Sequence, residues 1–508
     1  MANDNTAESL QSLWDSMVGD RAAALKRARD IAAITLPVVC PPEGTLPDEV
    51  TNSSGYSSFC SAGVSGLATK LRLALFSPNR PFFKLQPTLQ GEQDHIAKHG
   101  EDSLPELDEA LAEQERAAMS QWDQRGETSV ITSVLEALCI TGNVLVYEDD
   151  INGNIQYRAV QLQDFCIRRT VSGLITTIII KDSIEYGQLD ESTRLKVATG
   201  SKRKKLQLTD TLDMFTAWEM STVSKEGPKY IERQEIAGVE VYKSKKAESQ
   251  DDVRWFYVGG RRAPKATYAL PLIYPHMDDM LSQHEIAKAV IQGGIEASDY
   301  VWGVDPSSGD TAIERFAKAT RGDVVPLRQG QVQIINSGTI NTIVQLMQVQ
   351  AAIEQRLSKA FLQTVDFLQA QVQTTATEVR TIVTELERAY SGVYSELAQN
   401  LQYPLAKRLL KQAGEKVDYS IDLQIITGIE SLSRESSLES INRWTMTMAN
   451  ILQLNAATQG ALDIQELNRV VTAACGSPTQ SVFRERNQPQ QEQVNGTPEQ
   501  SIPAIPAD

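Results

Sequence analysis

The sequence predicts a helix-dominated α+β fold, and three observations carry that reading. Apolar residues recur at helical spacing near the N-terminus and again through much of the second half of the chain. Between these stretches lies a series of short apolar runs separated by turn pairs, the pattern of meandering antiparallel strands. Two long helical patterns then flank an insert at residues 301–337. At 508 residues the chain is too long for one compact core, so two or more domains are expected. Apolar residues at 41% and charged residues at 22% are ordinary for a globular protein, which confines expected disorder to the ends.

Leu10, Leu13, Trp14, Met17, Val18, Leu25, Ala28 and Ile31 mark a first amphipathic helix, which Pro37 stops. Residues 38–54, rich in Pro, Gly, Thr and Asn, read as a loop. Residues 66–76 read as a helix with Leu67, Leu71, Ala74 and Leu75 on one face. Ser77-Pro78-Asn79-Arg80-Pro81 breaks it, and Phe82, Phe83 and Leu85 follow as an extended run. Ser103 and Glu106 form a capping box for a helix that reaches about Thr141, with Gly126 as a point of division and Gly142-Asn143 as its end.

Strand-like runs occupy residues 144–147, 157–160, 165–169 and 175–181, with Asn152-Gly153 and Ser172-Gly173 as turns. From Asp182 the sequence is polar and mixed, and strands reappear at 212–218, 239–242 and 255–258. The two long helices are expected at 281–300 and 339–362, the second with Ile343, Leu346, Ile353, Leu357 and Phe361 near 3.5 spacing. The insert between them holds turns at Asp305-Pro306 and Ser308-Gly309, a helical stretch at 312–319 and strands at 324–325 and 332–335.

Thr375 and Glu378 form a second capping box. The helix that follows keeps Val379, Ile382, Leu386, Tyr390, Val393, Leu397 and Leu401 on one stripe. Pro404 is expected to kink it or end its first part, with a continuation to Gly414. A strand at 420–426 and helices at 437–454 and 464–474 complete the order, and the Gln- and Pro-rich residues 484–508 are expected to be disordered.

The chemistry classes are narrowed by what the residues supply. No run of about 18 apolar residues occurs, so no membrane span is expected, and the acidic first residues lack the basic start of a secretory signal. Cys40, Cys60, Cys139, Cys166 and Cys475 are odd in number and widely spaced, which reads as free thiols rather than a disulfide framework or zinc site. The net charge of −16 disfavours tight sequence-independent DNA binding. It is compatible with a wall along which DNA slides, and equally with plain solubility.

The stretch from Gly63 to Lys70 lacks the GxxxxGK[ST] spacing of a phosphate loop. His95 and His99 have the spacing of a zincin pair, but Ile96 stands where the catalytic Glu is needed. Asp149-Asp150 and Asp278-Asp279 are adjacent carboxylates that point to different sides, which suits a solvated turn and a helix N-terminus better than a two-carboxylate site. Lys202-Arg203-Lys204-Lys205, and Lys243, Lys245 and Lys246, read as solvated loops or as contacts to phosphate or an acidic partner. In the insert, Arg315, Lys318, Arg321 and Arg328 outnumber Glu314 and Asp323 locally, while the insert as a whole is neutral.

Two blocks carry a family resemblance. The first, residues 63–85, reads GVSGLATKLRLALFSPNRPFFKL. The second, residues 375–410, reads TATEVRTIVTELERAYSGVYSELAQNLQYPLAKRLL, and Thr427-Gly428-Ile429-Glu430 follows it. In order and spacing these are similar to the portal (head-to-tail connector) family of short-tailed, podovirus-type bacteriophages. Ser77 stands where a first proline is usual, the segment before the first long helix lacks the family's Tyr-Gly-Arg pattern, and the insert shows no likeness.

The resemblance implies a portal fold with wing, stem, clip and crown, assembled as a ring of twelve copies. It implies a wing at 1–275 and stem helices at 276–300 and 338–363, flanking a clip at 301–337. A tunnel loop at 364–374 leads back to the wing at 375–430, followed by a crown at 431–483 and a disordered tail at 484–508. Gln363, Gln369, Gln371, Gln373 and Thr374 become candidates to face DNA, and Arg315, Lys318, Arg321 and Arg328 candidates to dock a partner.

The implied role is a structural, non-enzymatic DNA channel at one capsid vertex, joining head to tail during packaging and ejection, with no cofactor. The implied partners are other copies of the chain, genomic double-stranded DNA without sequence specificity, the terminase motor, a tail adaptor protein, major capsid and scaffolding proteins, and internal core proteins. The implied place is the virion after assembly in the host cytoplasm, with no membrane partner. The alternatives are a DNA-packaging or DNA-processing enzyme of the phage head, and a capsid-associated binding protein without a channel.

Overall fold

The computed structural model describes residues 9–50, 56–76, 81–100, 104–151, 154–200, 206–224, 227–298, 301–304, 314, 318, 332–335, 339–363, 396–413 and 421–425. The chain divides into two compact units, Met1–Glu430 and Ser431–Asp508, and every described residue belongs to the first. The expected helices at 437–454 and 464–474 and the tail lie outside the described residues, as does the helix expected from Thr375 as far as residue 395.

The first helix, α1 (Leu10–Ile34), buries Leu10, Trp14, Met17, Ala24, Leu25, Ala28 and Ile31 on one face. Its N-terminus is held from a distance. Glu235 accepts from the Leu10 N–H at 2.7 Å and the Ser9 hydroxyl at 2.8 Å, a carboxylate placed where the helix dipole favours it. Helix α2 (Phe59–Leu75) begins earlier than residue 66, because Cys60, Gly63 and Val64 extend the buried face by a turn. Strand β1 (Phe83–Pro87) follows. Helix α3 (Leu89–His99), which the periodicity did not announce, is capped by Thr88 accepting from the Gly91 N–H at 3.0 Å.

Helices α4 (Leu104–Arg125) and α5 (Thr128–Thr141) are divided at Gly126, whose φ of 65° suits glycine. Gly142 ends α5 at φ 70°, and a Cβ there would meet the Leu270 carbonyl at 2.4 Å. Asn143 then ties two loops together. Its amide donates to the Thr141 and Ala269 carbonyls, and its oxygen accepts from the Tyr257 hydroxyl and the Ala269 N–H.

The strands are β2 (Asn143–Ile151), β3 (Asn154–Val160), β4 (Phe165–Arg169), β5 (Ile175–Glu185), β6 (Thr211–Ser224), β7 (Gly227–Ile236), β8 (Val239–Lys243), β9 (Glu248–Ser249) and β10 (Trp255–Gly259). Helix α6 (Glu191–Gly200) lies between β5 and β6. The meander β4-β5-β6-β7-β8, with β9 added on β7, forms one sheet, and β10-β2-β3 forms a second. All pairings are antiparallel. Helix α1 packs on the larger sheet through Leu10, Trp14 and Met17 against Cys166, Ile179, Phe215 and Ala217.

Two expectations are corrected here. Strand β7 and helix α6 occupy stretches that the sequence left without an element. Asp149-Asp150 sits inside β2 rather than in a turn, and Arg158 on β3 pairs with Asp149 at 2.7 Å, so cross-strand charge explains it. Pro404 stands, as expected, where the returning helix changes character. A π-turn at Ala398–Gln402 precedes it, and α9 (Tyr403–Gln412) carries Pro404 in its first turn, where its missing N–H costs least.

The flanking helices are α7 (Met277–Ser298) and α8 (Thr339–Ala360). Strands β11 (Val301–Val304) and β12 (Val332–Ile335) pair antiparallel and bring the two ends of the insert together. The last described strand, β13 (Ile421–Ile425), pairs antiparallel with β1, so residues more than 300 positions apart close the body.

Candidate DNA-channel and docking site

Asp279 in the first turn of α7 accepts two bonds from Arg356 near the end of α8, at 2.6 and 3.2 Å. The two helices are therefore antiparallel, and α7, the insert and α8 form a hairpin with the insert at its far end. The base of the hairpin is buried: Met280, Gln283 and Ala287 on α7, and Ile353 and Leu357 on α8. Gln283 is the polar hub there. Its amide donates to the Ser57 hydroxyl at 2.8 Å and to Glu354 at 3.3 Å, and its oxygen faces the Cys60 thiol at 3.8 Å. Burial pushes the Cys60 thiol up to about 12, with the Glu354 carboxylate adding to it, so this cysteine is no nucleophile.

Farther from the base the apolar side chains are open to solvent. Ile291 is 41% exposed and Ile295 60% on α7, with Val344 at 49%, Met347 at 54% and Val349 at 49% on α8. No charged residue occurs from Thr339 to Ile353. A helix with this composition normally buries its apolar surface.

Helix α8 ends in a Schellman arrangement. The Gln363 N–H donates to the Ser358 carbonyl at 2.7 Å, the Leu362 N–H donates to Lys359 at 3.2 Å, and Leu362 takes φ 54°. Gln363 is thus placed, half-buried, at the root of the following segment. Gln369, Gln371, Gln373 and Thr374 lie outside the described residues. Of the insert's cations, Lys318 pairs with Glu314 at 3.6 Å with both side chains largely exposed, while Arg315, Arg321 and Arg328 lie outside the described residues.

The contacts of residues 63–85 were invisible to the sequence. Gly63 faces the Phe361 ring, and Lys70 donates to the Leu362 carbonyl. No local pattern could have joined positions so far apart. A half-open cavity of about 350 Å³ also went unannounced. It lies where β10 meets the π-turn and is lined by Arg169, Tyr257, Arg262, Glu396 and Asn400 among others.

His95 and His99 lie side by side on α3 with ring centres 4.8 Å apart and planes tilted by 38°, and no group of three or more His, Cys, Asp or Glu able to hold a metal occurs among the described residues. Cys40, Cys60, Cys139 and Cys166 are free and buried. Cys475 and Lys202-Arg203-Lys204-Lys205 lie outside the described residues. Lys243, Lys245 and Lys246 are exposed at and beyond the end of β8. No described helix is long and apolar enough to cross a membrane.

The portal protein of Escherichia phage T7 is 26% identical over 496 residues, covering 95% of this chain and 90% of that protein. The portal protein of Enterobacteria phage T3 is 26% identical over 465 residues, covering 90% and 84%. The portal protein of Pseudomonas phage phiKMV is 25% identical over 488 residues, covering 92% and 90%. Among solved structures, the neck of an empty gene transfer agent particle is loosely alike, at 10% identity and a TM-score of 0.39 over 84% of this chain and 92% of that one. The match that defines the group covers residues 7–482, and the chain belongs to the family of bacteriophage head to tail connecting proteins.

Proposed function

We propose that the chain is the structural portal subunit of a phage head, assembled as a ring of twelve around a DNA channel at one capsid vertex. The observation that supports it most is the hairpin. Its base is built into the body, while its outer part exposes Ile295 of α7 together with Val344 and Met347 on the chargeless stretch of α8. Surface that the described residues leave open is buried against other copies, and the contact of unlike faces in a head-to-tail fashion closes into a ring.

In this reading residues 1–275 and 375–430 are the wing, α7 and α8 the stem, 301–337 the clip, 364–374 the tunnel loop and 431–483 the crown. Gln363, Gln369, Gln371, Gln373 and Thr374 face DNA with polar, uncharged groups that touch phosphate without holding it. Arg315, Lys318, Arg321 and Arg328 dock the terminase motor and then the tail adaptor. The reading places the protein in the virion, in contact with capsid, scaffolding and internal core proteins, and gives it no catalytic step.

Negative-stain images of the purified chain test it. Rings with an axial hole are expected. Monomers or open filaments at micromolar concentration overturn it.

A further inference from the structure

The end of α8 is held from outside itself. Residues 342–391 contain no glycine, proline or asparagine, so no breaker in the sequence tells the helix to stop at Ala360. It stops because Leu362 takes the left-handed conformation, φ 54°, which a leucine resists unless its surroundings impose it.

The surroundings come from α2. Phe361 is fully buried, with its ring lying over Gly63, where a Cβ would stand 2.5 Å from the ring carbon Cδ2. Phe59, one turn earlier on α2, packs against the same ring at 6.5 Å between centres. Lys70, two turns beyond Gly63 and only 8% exposed, donates to the Leu362 carbonyl. A cation at a helix C-terminus meets the negative end of the dipole, and a buried ammonium on a carbonyl is a charge-assisted bond.

We propose that Gly63, Lys70 and Phe361 form a joint that ends the second stem helix at Leu362 and so fixes where the chain leaves the stem for residues 364–374. Gly63 and Lys70 are positioning residues for the channel, acting through the helix end rather than on DNA. This gives the most recognisable block of the sequence a task beyond core packing. What the joint serves rests on the portal reading; the joint itself does not.

The test is amide exchange on the full chain, combined with packaging by procapsids that carry the variant. In Lys70→Met, exchange at Leu362 and Gln363 rises roughly 10- to 100-fold, the loss of one charge-assisted hydrogen bond. Ile353 and Leu357 keep their protection, rings still form and packaging slows. Lys70→Arg, which keeps the cation, restores protection and rate. Gly63→Ala loosens the same two amides, and adding Phe361→Leu, which frees room beside the new methyl, tightens them again.

Unchanged exchange at Leu362 and Gln363 overturns the joint. A rise spread through the whole of α2 and α8, or local loosening with packaging at the wild-type rate, overturns the positioning role. A wild type that forms no rings defeats the portal reading, while the exchange comparison still decides the joint.

Discussion

Helices α5 and α8 are both apolar around much of their circumference, but among the described residues only α5 hides that surface. Ile131, Val134, Leu135, Ala137, Leu138, Cys139 and Ile140 of α5 are all buried. Among the described residues of α8 only Ile353 and Leu357 are buried, while Val344, Met347 and Val349 stand about half exposed. The difference is one of neighbours. Helix α5 is enclosed by α1, α2, β2 and β3, whereas among the described elements α8 packs mainly on α7. Apolar periodicity therefore records the burial a helix will reach in its final assembly, of which the single chain supplies only part.

Leu135→Ala breaks the comparison on the buried side. Leu135 is fully buried, and its truncation leaves a cavity that the closely packed surroundings cannot close. The expected loss is about 2–5 kcal/mol, read as a lower urea midpoint at unchanged slope.

A second test sits at the start of α5. Glu127 is 3% exposed, and burial pushes its carboxyl up to about 8, with the Arg125 guanidinium 3.8 Å away opposing and Glu148 reinforcing the shift. In the unfolded chain the same group ionises near 4.3. Between these values the folded state keeps a proton that the unfolded state has lost. The contribution is therefore fully present below about pH 4 and is lost as pH rises through about 8. From pH 5 to pH 9 this group removes on the order of 4 kcal/mol of stability. Glu127→Gln keeps the shape without the charge, so its stability profile should be flatter over that window. A variant profile parallel to that of the wild type sinks the assignment.

Legibility follows the same division. Strand β4 spans the residues that its short apolar run indicates, and α1 and the split at Gly126 were readable because each rests on local spacing or on a glycine's φ. Strand β7 was not readable, because Glu232, Arg233 and Glu235 on it are buried. Their charges are met by other elements: Arg233 pairs with Glu219 at 3.1 Å and Glu240 at 3.2 Å, and Glu235 caps α1. A strand with inward charges defeats any rule that equates polar with exposed. The helix end at Leu362 was hidden for a related reason. The signal that stops the helix lies in α2, nearly 300 residues earlier in the chain.

The smallest expected effect on stability falls on the exposed side, and it discriminates best. Met347→Ser removes an apolar side chain that is 54% exposed, so the unfolding free energy of the isolated chain should stay within about 0.5 kcal/mol of wild type. If copies of the chain cover this face in a ring, the same change removes apolar area from every subunit contact, and the fraction of rings seen at fixed concentration falls. A loss of stability as large as that of Leu135→Ala would mean that the outer part of α8 already has a partner within its own chain. Unchanged stability with unchanged rings would mean that the copies meet elsewhere. Only stable monomers that fail to close into rings fit a helix whose second partner is another copy of itself.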